Sequence, residues 1–469
     1  MKKIYYILLL LLFSTNIKAQ DPADFVLPSI ISDHAIMQRD AEVKLWGWCP
    51  SVWDLKIVCS WAPNDTIHVS SNKENYWETL VQTPKEEGPY TISFYGWENK
   101  LFKEVKDILM GEPWLCSGQS NMEYCFKWRI DDLKDRTNLF DNKKIRIFHV
   151  GKVSSKYPVE RIEGKWEFCT PEVMDDFSVV GFFFGKYLNQ GLKNVPVGLI
   201  GSYWGGTAIE PWIDDFTFHH ENLIEKSKKL AGSWAPTANS SLFNAMINPI
   251  KNYTISGVVW YQGEANSERY ADYKDMFSGL IRGWRNAFHT YLPFYFVQIA
   301  PWNGYANKDG AYLREKQADV AATIKNTGMV VIGDLVNNIS DVHPSLKRQV
   351  GERLANMVLY KTYNIKDKDP FSPQYKSFTV KGNTVVVNTT AKGKLVCKGK
   401  EIKNFEIVDK DGNLYPAEAK ILNNGLLAVK TSKVKHPAGV RYCFSNDAEP
   451  NLFNCNGLPL APFRTDREK

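Results

Sequence analysis

The sequence predicts an α/β protein: a three-layer α/β/α core with a parallel sheet, flanked by N-terminal and C-terminal small β domains. Three stretches of different texture along the 469 residues predict it. Residues 21–107 carry short β-rich runs, residues 108–365 alternate apolar strands with amphipathic helices, and residues 366–469 return to β texture. A length of this order favours two or three domains.

In the first stretch the runs Val43–Trp48, Leu55–Val58 and Tyr90–Tyr95 are separated by turn clusters such as Pro63-Asn64-Asp65 and Glu87-Gly88-Pro89. Short strands at this spacing, without helical periodicity, predict a small β-sandwich. In the second, Ile108–Cys116, Pro196–Ile200, Gly257–Tyr261, Phe294–Ile299 and Met329–Ile332 read as strands. Between them, Arg269–Phe288 places Tyr270, Tyr273, Met276, Phe277, Leu280, Ile281 and Trp284 on one helical face. Pro344–Tyr360 does the same with Leu346, Val350, Leu354, Met357 and Val358. Such alternation predicts a parallel sheet covered on both sides. The last stretch carries Val385–Val387, Phe405–Val408 and Leu426–Val429, with hairpin signals at Asp411-Gly412 and Asn424-Gly425.

The N-terminus has a different role. Lys2 and Lys3 precede an apolar run from Ile4 to Phe13, and the small residue Ala19 follows. This is the layout of a secretory signal peptide. The run is too short to cross a bilayer, which needs about 20 apolar residues. Residues 1–20 are therefore expected to be removed near Ala19-Gln20, and the protein to be exported, periplasmic or secreted. Three of the charges behind the net +6 (Lys2, Lys3 and Lys18) lie in that leader, which leaves +3. So small a charge suggests neither a nucleic-acid partner nor a polybasic membrane contact. The eight cysteines permit disulfides in an exported protein, but a chain of this size does not depend on them, and Cys116 in its apolar run reads as a packed thiol.

The chemistry gathers at strand ends, since ligands of open α/β sheets bind beyond the carboxyl ends of the strands. The first strand stops at Ser117-Gly118 and passes into Gln119-Ser120-Asn121. A serine there can attack, with helix N–H groups near a developing oxyanion; by local pattern alone it is more often a helix cap. The second strand leads to Trp204-Gly205-Gly206-Thr207, where paired glycines let backbone N–H groups approach a ligand. The third leads to Gln262-Gly263-Glu264-Ala265-Asn266, and the last to Asp334, Asp341 and His343. A serine nucleophile needs a base such as histidine, and a carboxylate to fix the imidazole tautomer. His219-His220-Glu221 is a weak metal candidate, because adjacent helical residues point apart and no third ligand accompanies them.

These blocks resemble the sialate O-acetylesterase family within the SGNH hydrolases. Residues 27–39 (LPSIISDHAIMQR) and Trp46-Gly47-Trp48 are similar to the family's N-terminal β domain. Gly118-Gln119-Ser120-Asn121-Met122-Glu123 resembles its nucleophile block, Gly205-Gly206-Thr207 its glycine block, Trp260-Tyr261-Gln262-Gly263-Glu264 its third block and Asp341-Val342-His343-Pro344 its last. The tail, from Asn451 to Thr465, is also family-like, so the resemblance spans nearly all of the chain beyond the leader.

The resemblance implies an SGNH-type serine esterase with Ser120 as nucleophile, His343 as general base and Asp341 as orienting acid, with Asp334 in reserve. It implies an oxyanion site from the Ser120 N–H, a Gly205 or Gly206 N–H and Gln262, with Asn266 in reserve. Asn121, Glu264 and Trp204 are expected to contact substrate. Two features depart from the wider superfamily pattern: Gln262 stands where many relatives have Asn, and the last block reads Asp-x-His rather than Asp-x-x-His. The implied reaction needs no metal or organic cofactor. The implied partner is an O-acetylated sialic acid or sialoglycan. Acetylated plant polysaccharide (xylan or pectin) is an alternative substrate, and a non-catalytic carbohydrate-binding relative is the alternative from another class.

Overall fold

A computed structural model describes residues 24–467 apart from 51–52, 129, 131–137 and 228–234. The expected signal peptide, with its cleavage point, lies outside the described residues.

The core is a sheet whose central strands run in the order Thr327–Val330, Phe294–Val297, Gly257–Tyr261, Leu101–Gly118, Val197–Tyr203, Ile145–His149 and Trp166–Phe168. Neighbours pair in parallel except at the Trp166–Phe168 edge, which is antiparallel. Side-chain alternation explains the layers. Trp114, Cys116, Val259 and Val297 pack with Val180, Phe184, Val350 and Leu354 from helices Val179–Gly191 and Lys347–Lys361. Leu115, Val258, Trp260 and Phe296 face the other way, onto Phe277, Leu280 and Leu313 from helices Tyr270–Ala287 and Asp309–Thr323. A mixed α/β architecture with a central sheet is therefore what the chain adopts.

Among the departures from expectation, two bear on the core sheet around the site. The strand read as Ile108–Cys116 is 18 residues long, Leu101–Gly118. Its first half pairs antiparallel with Tyr90–Tyr95 of the N-terminal β region, and its second half is the middle of the core sheet. The expected boundary at 107/108 thus falls inside one continuous strand. Charged Lys103, Glu104 and Lys106 around Val105 hide it, because a half-solvated strand carries charges that a buried one excludes. The strand Ile145–His149 was also not anticipated: its Arg146 breaks the apolar run, yet is buried and held by Asp107 and the His34 carbonyl.

Beyond residue 374, seven strands form an antiparallel sheet in the order Tyr375–Lys381, Thr384–Thr389, Leu427–Lys430, Leu414–Ile421, Phe405–Val408, Gly439–Tyr442 and Phe463–Arg464. It is fixed to the core by Arg464, which grips the buried Glu315 through both carboxylate oxygens at 2.9 and 3.0 Å. All eight cysteines are free thiols, and Cys116 is fully buried with its thiol pushed up by desolvation.

Candidate active site

Ser120 opens a four-residue helical turn, Ser120–Glu123, directly after the long central strand. The turn is locked to the two neighbouring strand ends. The Gln119 N–H donates to Tyr261 O at 3.1 Å, and the Trp204 N–H donates to Gly118 O at 3.1 Å. The Gln119 side-chain oxygen accepts the Gly263 and Ala265 N–H groups, both at 3.3 Å. This closeness dictates Gly118: its φ is +139°, and a Cβ there would sit 2.1 Å from the Tyr261 carbonyl oxygen.

Ser120 Oγ lies 2.9 Å from His343 Nε2, although the two residues are 223 apart in the chain. Asp341 accepts the His343 backbone N–H at 2.8 Å, and its Oδ1 stands 3.8 Å from His343 Nδ1. That is an ion-pair separation and not a hydrogen bond. Asp334, the reserve acid, is held elsewhere: both of its oxygens accept from Arg353, each at 2.7 Å. Burial and the Lys347 ammonium lower the pKa of His343, while Asp341 and Glu123 oppose them. Its imidazole is therefore neutral, and able to accept a proton, at a lower pH than an ordinary histidine.

Several expected contacts are corrected. Gln262 is fully buried; its amide nitrogen donates to Asn266 Oδ1 at 2.7 Å and its amide oxygen accepts from Tyr273 at 2.9 Å. Its amide nitrogen also donates to Thr207 O at 3.3 Å, so both of its donors are engaged in bracing the third strand end. Asn266, the reserve, is engaged likewise, accepting the Ile209 N–H at 2.9 Å and donating to Glu210 at 3.0 Å. The Gly205 N–H is taken by the Glu123 carboxylate, which leaves Gly206 as the half-exposed member of the pair. Asn121 and Glu264, expected to touch substrate, are buried and bonded to each other at 2.6 Å. A buried amide and a cleft-lining one are the same residue type, and only tertiary partners distinguish them. Trp204 is half-exposed, with the Lys152 ammonium 6.0 Å above its ring.

The structure adds residues that the sequence did not mark. Lys152 pairs with Glu123, one helical turn from Ser120. Tyr124 and Trp128 stand 6.4 and 5.9 Å from the His343 ring. Lys347, wholly buried, donates to Asn121 Oδ1. Its signal was faint: a lysine at the start of an amphipathic helix reads as solvated. Among the described residues, no group of three or more His, Cys, Asp or Glu side chains could hold a metal ion, and Glu221 of the weak metal candidate pairs with Arg282.

Residues 111–360 match the family described as carbohydrate esterase, sialic acid-specific acetylesterase. The chain is 27% identical to the sialate O-acetylesterase of Mus musculus over 463 residues, covering 85% of both proteins. It is 29% identical to that of Homo sapiens over 420 residues, covering 82% of this chain and 80% of the human protein. A crystal structure of a carbohydrate acetylesterase from Xanthomonas citri superposes with a TM-score of 0.86 at 30% identity, covering 95% of this chain and all of that one. With the matched segment running from the central strand through the His343 loop and the helix that follows it, the chain belongs to the sialic acid-specific acetylesterase family of carbohydrate esterases and is a carboxylic ester hydrolase.

Proposed function

We propose that the protein hydrolyses O-acetyl esters of sialic acids by an acyl-enzyme route on an SGNH-type core. The observation that carries this reading is the 2.9 Å contact between Ser120 Oγ and His343 Nε2 at the carboxyl edge of the parallel sheet. His343 takes the Ser120 proton as the hydroxyl oxygen bonds to the acetyl carbonyl carbon. The carbonyl oxygen becomes an oxyanion, for which the Ser120 and Gly206 N–H groups are the backbone donors, the Gly205 N–H being held by Glu123. His343 returns the proton to the sugar oxygen as that bond breaks. Water then attacks the acetyl-enzyme by the same path and releases acetate. Asp341 favours the imidazolium electrostatically across 3.8 Å. The N-terminal leader supports export to the periplasm or the medium, and the flanking β regions support the reading of one catalytic and two accessory domains.

A cation suits the sialic acid carboxylate, and Lys152, paired with Glu123 and 6.0 Å from the Trp204 ring, stands next to the nucleophile turn where it can also meet that group. Acetate release from 9-O-acetyl sialic acid should exceed that from acetyl-xylan at equal acetyl concentration; the reverse order would move the substrate to plant polysaccharide. Lys152→Ala should lower kcat/KM roughly tenfold more on acetylated sialic acid than on a neutral activated acetate ester, the value of about one charge-assisted hydrogen bond. Equal losses on both would remove Lys152 from recognition.

A further inference from the structure

Beneath the nucleophile turn lies a buried polar chain that the reaction as described does not use. Lys347 is 0% exposed and is the first residue of helix Lys347–Lys361, four residues after His343. Its ammonium donates to Asn121 Oδ1. The Asn121 amide nitrogen donates in turn to Glu264 Oε1 at 2.6 Å and to the carbonyl of Val342, the residue before His343, at 3.0 Å. The rings of Tyr124 and Tyr261 stand 4.8 and 5.2 Å from the ammonium. Asn121 thus ties the nucleophile helix to the third strand end and to the loop that carries the base, and Lys347 holds the Asn121 side chain from its other end.

Stability alone does not account for it. Burying an ammonium costs several kcal/mol before any partner is counted. A cation in the first turn of a helix also opposes the helix dipole. The strain is visible in the groups themselves: burial draws the pKa of Lys347 down to about 7 and raises that of Glu264, whose second oxygen is buried with no hydrogen-bond partner. An apolar residue of the same length would fill the space at lower cost.

We propose that Lys347 is a positioning residue for catalysis, fixing the Asn121 side chain whose bond to the Val342 carbonyl anchors the His343 loop against the nucleophile turn. The charged groups that act on His343 are Lys347, which disfavours its protonation, and Asp341 and Glu123, which favour it. Lys347 itself is acted on by Glu264 and Asp341. Removing the lysine charge leaves burial alone to oppose the two carboxylates. His343 then holds its proton to higher pH, and the acidic limb of the rate profile moves upward.

This inference rests on His343 being the base of the proposed hydrolysis. The test is the pH profile of kcat/KM, from pH 4.5 to 8, for wild type, Lys347→Met and Asn121→Ala. Lys347→Met should move the acidic limb up by roughly one pH unit. Its plateau kcat should fall tenfold to a hundredfold, about the effect of a misplacement near 1 Å, with KM within about twofold. An acidic limb at the wild-type position overturns the inference. Asn121→Ala cuts the tether and keeps the cation, so kcat should fall while the limb stays in place. Wild-type kcat in Asn121→Ala also overturns it, and this variant decides the matter if Lys347→Met does not fold. A Ser120→Ala protein that still released acetate would instead remove the reaction on which the inference rests.

Discussion

Ser120→Ala is expected to lower kcat on acetylated sialic acid by about 10⁴- to 10⁶-fold, the range that follows loss of a serine hydrolase nucleophile. KM should change little, because the hydroxyl acts in bond formation and adds little to ground-state binding. The fold should persist. The substitution removes one half-buried hydroxyl whose bond is to His343, and alanine is a good helix former at the start of the Ser120–Glu123 turn. A thermal melt within about 2 °C of wild type would separate the catalytic loss from unfolding, since surface changes of this kind usually stay within ±0.5 kcal/mol. His343→Ala should fall by a similar factor, and the double variant no further, because the two side chains act as one unit. Activity retained by Ser120→Ala would require another nucleophile.

The parts of this site that were legible in the sequence are those fixed by local rules. Gly257–Tyr261 is apolar at every position because both of its faces are covered, and the structure keeps those bounds. The helices around Tyr273 and Leu354 were visible through their 3.6-residue period and begin and end within about three residues of expectation. Ser120 and His343 could be paired because each follows a strand end, and parallel strands bring such ends to one edge. What could not be read is orientation. Gln262 follows a strand as a cleft amide would, but its partners, Tyr273 and Asn266, lie on the following helix and turn. The engagement of the Gly205 N–H by Glu123 joins residues 82 apart, and nothing in either local pattern marks it. Lys347 and Arg146 show the same limit for charge: a buried cation and a solvated one differ in surroundings, not in sequence.

Arg353→Met is expected to be among the most destabilising single changes near the site, and it separates the two aspartates that compete for the role of orienting acid. Arg353 and Asp334 are 13% and 10% exposed and meet in a two-pronged contact, with a further bond from Arg353 to the Val331 carbonyl at 2.6 Å. Methionine keeps the apolar length and leaves the Asp334 carboxylate in a poorly solvated place with no cation. Breaking a buried pair in this way costs about 3–5 kcal/mol, which should lower Tm by roughly 10 °C. Asp341 offers the opposite case. It is 52% exposed, and 3.8 Å from the imidazole it would orient. Asp341→Asn should therefore leave Tm nearly unchanged. It should lower kcat by roughly tenfold to a hundredfold, less than the ~10⁴-fold that follows loss of a buried, hydrogen-bonded acid. The pair of measurements, melting temperature and kcat on the same two proteins, assigns the roles. Should Arg353→Met keep its melting temperature and lose its activity while Asp341→Asn keeps both, Asp334 is the acid that serves His343, and the bidentate contact holds a catalytic group rather than a structural one.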